Sequence, residues 1–223
     1  MKRRTLDIMF SVGGVALAGL LFVLGSVMVS NANFAKDYTH DQLAAQKIVF
    51  KDKAALTPEE AQSSCLNKYA GQLLTTGKQA ECYANDFVAL HLSEQGAGTP
   101  YAGMTYAELG KPQTDLRNQV KAATAANDPN LPTLQKQLDA ITTQRTTTLN
   151  GETLRGLLLT SYGFSVFGVK GGQVAVVAFI VGGLLLLLSL AGFWHAFRTP
   201  ATVPFAEPEP VPAEPVGTRL AGA

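Results

Sequence analysis

Ile8 to Ser30 reads IMFSVGGVALAGLLFVLGSVMVS, 23 residues without a charge, and a second such run, Val174 to Trp194, reads VAVVAFIVGGLLLLLSLAGFW. A helix rises about 1.5 Å per residue, so roughly 20 apolar residues cross a hydrocarbon core about 30 Å thick. Both runs are long enough. Neither carries the polar stripe expected of a helix buried in a soluble globule. The 47% hydrophobic content of the chain is therefore concentrated at its two ends, and the middle is polar. This distribution argues against a soluble cytosolic enzyme. It predicts an all-α membrane protein in which two transmembrane helices flank a helical extracytoplasmic domain.

The boundaries follow from the runs: a cytoplasmic N-terminus at 1–7, transmembrane helices at 8–30 and 174–196, the outside domain at 31–173, and a cytoplasmic tail at 197–223. Orientation rests on Lys and Arg near the span ends. Lys2, Arg3 and Arg4 precede the first run, and Lys36 is the only basic residue soon after it. Lys170 and Arg198 balance each other around the second. Both termini are thus expected in the cytoplasm of a multi-pass plasma-membrane protein. Trp194 and Phe197 fall at the inner interface. The rival reading of the first run is a signal peptide cleaved near Ser30-Asn31-Ala32. Its apolar core is longer than the ~7–15 residues usual for such peptides, which favours a retained anchor. Gly14 and Ala18 in the first run, and Ala178 and Gly182 in the second, are small residues four apart, a spacing that lets membrane helices approach closely.

With 18 Lys+Arg against 17 Asp+Glu, and 13 of each between the runs, the chain lacks the basic excess of a nucleic-acid protein. The middle segment reads as helices. Phe34 to Gln46 continues the first span, and Ile48-Val49-Phe50 is a short extended piece. Thr57-Pro58-Glu59-Glu60 predicts a helix start, with Thr57 as N-cap and a helix ending near Gly71. A second helix is expected from Gly77 to about Gly96. Asp115 to Ala126 and the stripe Leu131, Leu134, Leu138, Ile141 form an antiparallel helical pair around the turn Asn127-Asp128-Pro129-Asn130.

Cys65 and Cys82 are the only cysteines. They stand at similar heights on the two arms of the expected hairpin, so a disulfide is geometrically reasonable in an oxidising exterior. Sixteen residues separate them, which does not suit a redox motif.

Motifs that carry chemistry are scarce. The three histidines are scattered; His91 reads as a core-edge residue held by a hydrogen bond and His40 as solvated. The pair Glu59-Glu60 is explained by a helix N-terminus. Gly156 to Val169 is an uncharged stretch of 14 residues ahead of the second span. It is either a helix at the outer interface or an extension of the span hinged at Gly171-Gly172 and packed against the domain. Its Leu157, Leu158, Leu159, Tyr162, Phe164 and Phe167 are candidate contacts for a partner or lipid. The tail from Thr199 holds six of the eleven prolines and reads as solvated, extended chain too short for a signalling module.

The stretches Asp41-Gln42-Leu43 through Gln46-Lys47-Ile48, Leu66 to Leu73 with Thr76-Gly77, Gln79-Ala80, Tyr83-Ala84, Phe87, His91-Leu92 and Gly151 to Leu159 resemble a group of two-span actinobacterial membrane proteins of unknown function. The resemblance covers both spans and much of the middle, but not Lys111–Leu149 or the tail. Some members are named aromatic ring-opening dioxygenases. That chemistry needs a ferrous site, commonly two histidines and a carboxylate, and no such cluster is identifiable in this sequence, so the resemblance supplies no catalytic residue. The function expected is therefore a non-enzymatic accessory, scaffold or interaction subunit at the cell envelope, with no cofactor and no metal. Its partners would be membrane lipid and other membrane or envelope proteins, not nucleic acid. An extracytoplasmic sensor or lipid-binding domain, with Tyr162, Phe164 and Phe167 lining an apolar pocket, is the alternative. A metal-dependent oxygenase using His40, His91 and an acidic residue is the minor one.

Overall fold

The computed structural model describes residues 2–203, so the extended chain expected over 204–223, most of the proline-rich tail, lies outside the described residues. The fold is all-α. Helix α1 spans Arg3–Ala45, and α6 spans Leu131–Arg198. Between them lie α2 (Ser64–Tyr69), α3 (Gly77–Cys82), a π-helical segment at Tyr83–Val88, α4 (Ala89–Glu94) and α5 (Gly110–Ala126). Among the described residues α1 and α6 are the two helices long and apolar enough to cross a membrane.

The chain divides into two compact units. The first comprises the end segments, up to Val27 and from Ala175. Within it α1 and α6 pack antiparallel through small residues. A methyl group added to Gly14 would collide with Ser189, one on Gly192 with Ser11, and one on Gly182 would sit 3.3 Å from Leu21 Cβ and 3.4 Å from the Ala18 carbonyl. Rising positions on α1 meet falling positions on α6. Ala18 and Ala178 are buried in the same seam, so the four small residues picked out by spacing lie where the helices touch. Gly13 and Gly183 face open space. His195 Nδ1 stands 2.9 Å from Asp7 Oδ2 in this unit.

The second unit is Met28–Val174. Its main core joins Leu43 of α1, Phe50, Leu66, Leu74, Ala80, Cys82, Ala84, Val88 and Leu158 of α6. Full burial of each large aliphatic side chain contributes about 1.5–3 kcal/mol. The Ile48 to Phe50 segment is extended as expected. It pairs with Leu73 through a single bridge, and Leu74 N–H donates to the Ile48 carbonyl at 2.8 Å.

The Thr57 expectation needs correction. The capping box forms, because Thr57 N–H donates to Glu60 Oε2 at 2.8 Å and Glu60 N–H to Thr57 Oγ1 at 3.2 Å. It opens only a 3₁₀ turn at Glu60–Gln62. The α-helix restarts at Ser63, whose hydroxyl accepts from Leu66 N–H. Glu60 itself points inward, where Lys51 and His91 meet its carboxylate. Gly71, at φ +72°, then turns the chain where a side chain would be strained and would meet Asp52 Oδ1.

The second predicted helix runs from Gly77 to Glu94 but passes through the π-helical segment. Thr76 and Gln79 make its capping box. Helix α5 starts five residues earlier than Asp115, at Gly110, and Asn127 closes it in the left-handed conformation. Leu116 of α5 meets Ile141 of α6 around Leu109, with Tyr101, Met104 and Leu138 packed alongside, forming a small second core. Helix α6 runs unbroken through Gly171-Gly172, so no hinge breaks the helix there and the stretch 156–169 is an extension of the apolar run.

Candidate functional site

Three sets of side chains in the second unit carry distinctive chemistry. The first is the disulfide. Cys65 on α2 and Cys82 at the end of α3 are bonded, with Cα atoms 6.0 Å apart. The hairpin predicted from glycine positions brings them together. The joint is reinforced by Ser63, whose hydroxyl donates to Asp86 in the π-helical segment.

The second is a buried carboxylate that the sequence did not reveal. Glu60 is 1% exposed. Its Oε1 accepts from Lys51 Nζ at 2.7 Å and lies 3.4 Å from His91 Nε2, while Oε2 accepts from the Thr57 backbone. Burial pushes the Glu60 carboxyl up, but Lys51, the Thr57 N–H and the nearby His91 outweigh it and hold the group below the ordinary carboxylate range. Tyr83, Phe87 and His91 stack at four-residue spacing, with ring centroids 4.6 and 4.3 Å apart. His91 Nδ1–H also donates to the Phe87 carbonyl at 2.8 Å, the hydrogen bond expected for it. Lys51 stands over Phe87, so cation, carboxylate and aromatic ladder form one polar knot at the edge of the core. The dipole explanation of Glu60 missed this, because its partners come from Lys51 and His91 on either side in sequence. The only sequence signal was Phe87 and His91 at helical spacing.

The third is a groove of about 540 Å³. Its first wall is α1, where Ala32, Lys36, Thr39 and His40 fall on one face at helical spacing. Its second wall is α6, with Ser165, Gly168, Val169 and Gly172. Thr75 to Lys78, leading into α3, close one end. A methyl group on Gly77 would collide with Ser165, and one on Gly168 would stand 2.9 Å from Ala35 Cβ. These contacts fix the walls. Thr39 is 5% exposed and its Oγ1 has no hydrogen-bond partner. Lys78 pairs with Glu81 at 2.9 Å and with the Tyr162 hydroxyl at 3.2 Å, and both hold its ammonium above the ordinary range.

The nominated stretch on α6 is split by this arrangement. Leu158 is in the core, Leu159 is packed against it, and Tyr162 stacks under Lys78. Leu157 is 63% and Phe167 79% exposed. Phe164 joins Phe34 and Tyr38 in an aromatic cluster on the surface, with centroids 6.5 and 6.1 Å away. The expectation that Tyr162, Phe164 and Phe167 line an apolar pocket is therefore wrong: the groove lies on the neighbouring face of α6. Ser165, Gly168, Val169 and Gly172 line the groove on α6, whereas Tyr162, Phe164 and Phe167 do not, although Tyr162 stands one turn from Ser165 and Phe164 one turn from Gly168.

Among the described residues, no group of three or more His, Cys, Asp or Glu side chains comes together as a metal site would require. His91 is engaged with Phe87 and Glu60, and His40 with Asp41 at 3.2 Å. No protein-family model, curated protein or solved structure matches the chain.

Proposed function

We propose that the chain is a two-span integral membrane protein of the cell envelope, with both termini in the cytoplasm and residues 31–173 outside, acting as a non-enzymatic accessory or interaction subunit. One observation carries the reading. The helices that contain the two apolar runs continue beyond them into a disulfide-clamped helical unit that keeps large apolar side chains on its surface, among them Leu157, Phe164 and Phe167.

Further features support it. The aromatic cluster Phe34, Tyr38 and Phe164 lies within a few turns of both apolar runs, where interfacial rings are favoured. A disulfide between Cys65 and Cys82 is suited to an oxidising compartment and not to the cytosol. The basic cluster Lys2, Arg3 and Arg4 then belongs inside. The resemblance to two-span actinobacterial proteins agrees with this arrangement. The exposed apolar face of α6 is the surface offered to a second membrane or envelope protein.

The test is affinity purification of the tagged chain from membranes in gentle detergent, with Leu157→Ser and Phe167→Ser variants alongside. A stoichiometric partner retained by the wild type and lost from the variants is expected. A strictly monomeric, partner-free chain would remove the interaction reading, and thiols that alkylate freely in unreduced cells would reverse the orientation.

A further inference from the structure

We propose that the groove between α1 and α6 holds one anionic phospholipid, with an acyl chain along Ala32, Gly168 and Gly172 and the phosphate at Lys36, Thr39 and Lys78. The inference rests on reading the chain as a membrane protein.

Four observations lead to this occupant. The groove is graded. Ala32 and Gly172 follow the first apolar run and precede the second by only two residues each, and they supply a floor without polar side chains. Moving away from the runs, up α1 and back along α6, the lining becomes Lys36, Thr39, His40 and Lys78. An apolar end next to a hydrocarbon layer and a cationic end away from it is the charge pattern of a lipid, inverted in sign. Basic pockets between membrane helices bind acidic headgroups for this reason.

Thr39 gives the second observation. A helical threonine commonly satisfies its hydroxyl on the carbonyl four residues back. Here Oγ1 is buried and unpartnered, on a residue that lines the groove. A phosphate or ester oxygen would supply the missing acceptor. The third is Lys36, which none of the ion pairs among the described residues uses. Lys78 already has Glu81, so Lys36 is the lining cation that stands outside the ion pairs of the described residues. The fourth is size. About 540 Å³ lies within the range of small-ligand pockets, and suits one chain with its glycerol while a second chain stays in the bilayer.

The full chain, purified in mild detergent with its disulfide intact, would be studied by native mass spectrometry. Phosphatidylglycerol, phosphatidylcholine of the same acyl chains, and inorganic phosphate would be added separately. Phosphatidylglycerol is expected to be retained about tenfold over phosphatidylcholine, a difference of roughly 1.4 kcal/mol, and phosphate alone not at all. Lys36→Gln with Lys78→Gln should erase the preference, and Lys36→Arg with Lys78→Arg should keep it. Gly172→Leu, where the nearest neighbour leaves 3.8 Å, should lower retention of both lipids. Thr39→Val is the smallest change and should weaken phosphatidylglycerol alone.

Equal retention of the two lipids, or an unchanged ratio in the double Gln variant with wild-type helicity, overturns the site. Phosphate bound as well as phosphatidylglycerol would make it a free-anion site and overturn the lipid assignment. Carbonate washing of membranes separates the two failures. A chain released into the wash refutes the membrane reading, whereas a chain retained there without lipid preference refutes this site alone.

Discussion

Removing the Cys65–Cys82 bond is the perturbation whose size follows most directly from the fold. The residues are 17 apart in sequence. In the chain-entropy model a closed loop of that length removes about 10 cal/mol/K from the unfolded ensemble, or about 3 kcal/mol at 25 °C. Cys82 is buried, at 5% exposure, and Cys65 is half-buried. Alanine is therefore the better replacement, since serine would bury an unpaired hydroxyl at Cys82. The Ser63 hydroxyl still caps α2 and reaches Asp86 without the sulfurs, so the hairpin should survive. For a unit of this size, about 3 kcal/mol corresponds to a fall in Tm of about 10 °C. The assay is thermal unfolding of the full chain in mild detergent, followed by circular dichroism, for wild type, wild type with reductant, and Cys65→Ala with Cys82→Ala. Reductant leaves both sulfurs in place, so its effect isolates the cross-link from the loss of side-chain packing. Reduced wild type and the double variant should fall together, within a few degrees. A shift below about 2 °C in both would refute the reasoning, because the hairpin would then be held in the unfolded state as well.

Further outcomes follow from other parts of the structure. Glu60 is held below its ordinary pKa of 4.5, so its contribution to stability is fully present above that value and is lost as pH falls through the lower, folded one. Glu60→Gln should reduce stability at pH 7 by about 1–3 kcal/mol, since Lys51 is partly solvated and keeps an amide partner. It should also flatten the acid limb of a melting series between pH 6 and 3; an unchanged acid limb would show that Glu60 does not set it. Gly14→Leu, which drives a side chain into Ser189, should destabilise the α1–α6 seam by about 1–3 kcal/mol. Gly13→Leu should be tolerated, and equal melting temperatures for the two variants would count against the seam. Arg145 donates to Gln113 at 2.7 Å and to the Tyr106 carbonyl at 3.2 Å and stacks on Tyr106. Arg145→Ala should cost about 1–3 kcal/mol and speed proteolysis at residues 96–109. Wild-type cleavage rates would place the hold on that loop elsewhere.

The candidate groove was invisible in the sequence for a specific reason. Small residues four apart signalled helix packing in Gly14, Ala18, Ala178 and Gly182, and the structure puts these four at a seam. Gly168 and Gly172 continue the same spacing, and Ala32 faces them, yet here the same pattern borders a groove. Spacing reports which side chains share a face. It does not report where a groove opens beside the helix contact, which depends on Gly77 meeting Ser165 across more than 80 residues of chain. Phe164 and Phe167 failed as pocket residues for a related reason: apolarity along α6 said nothing of which third of its circumference would be covered.

Features that are local or periodic could be read from the residues in order. The two charge-free runs, the 3.6-residue stripes, the capping residue Thr57 and the turn at Asn127 are all features of neighbouring residues, and a linear reading captures them. The disulfide belongs with these, since its partners flank one short hairpin. Only the tertiary structure settled the burial of Glu60 between Lys51 and His91 and the groove bordered by α1, α6 and the start of α3. Each depends on groups brought together from distant positions, where desolvation and packing outweigh local preference.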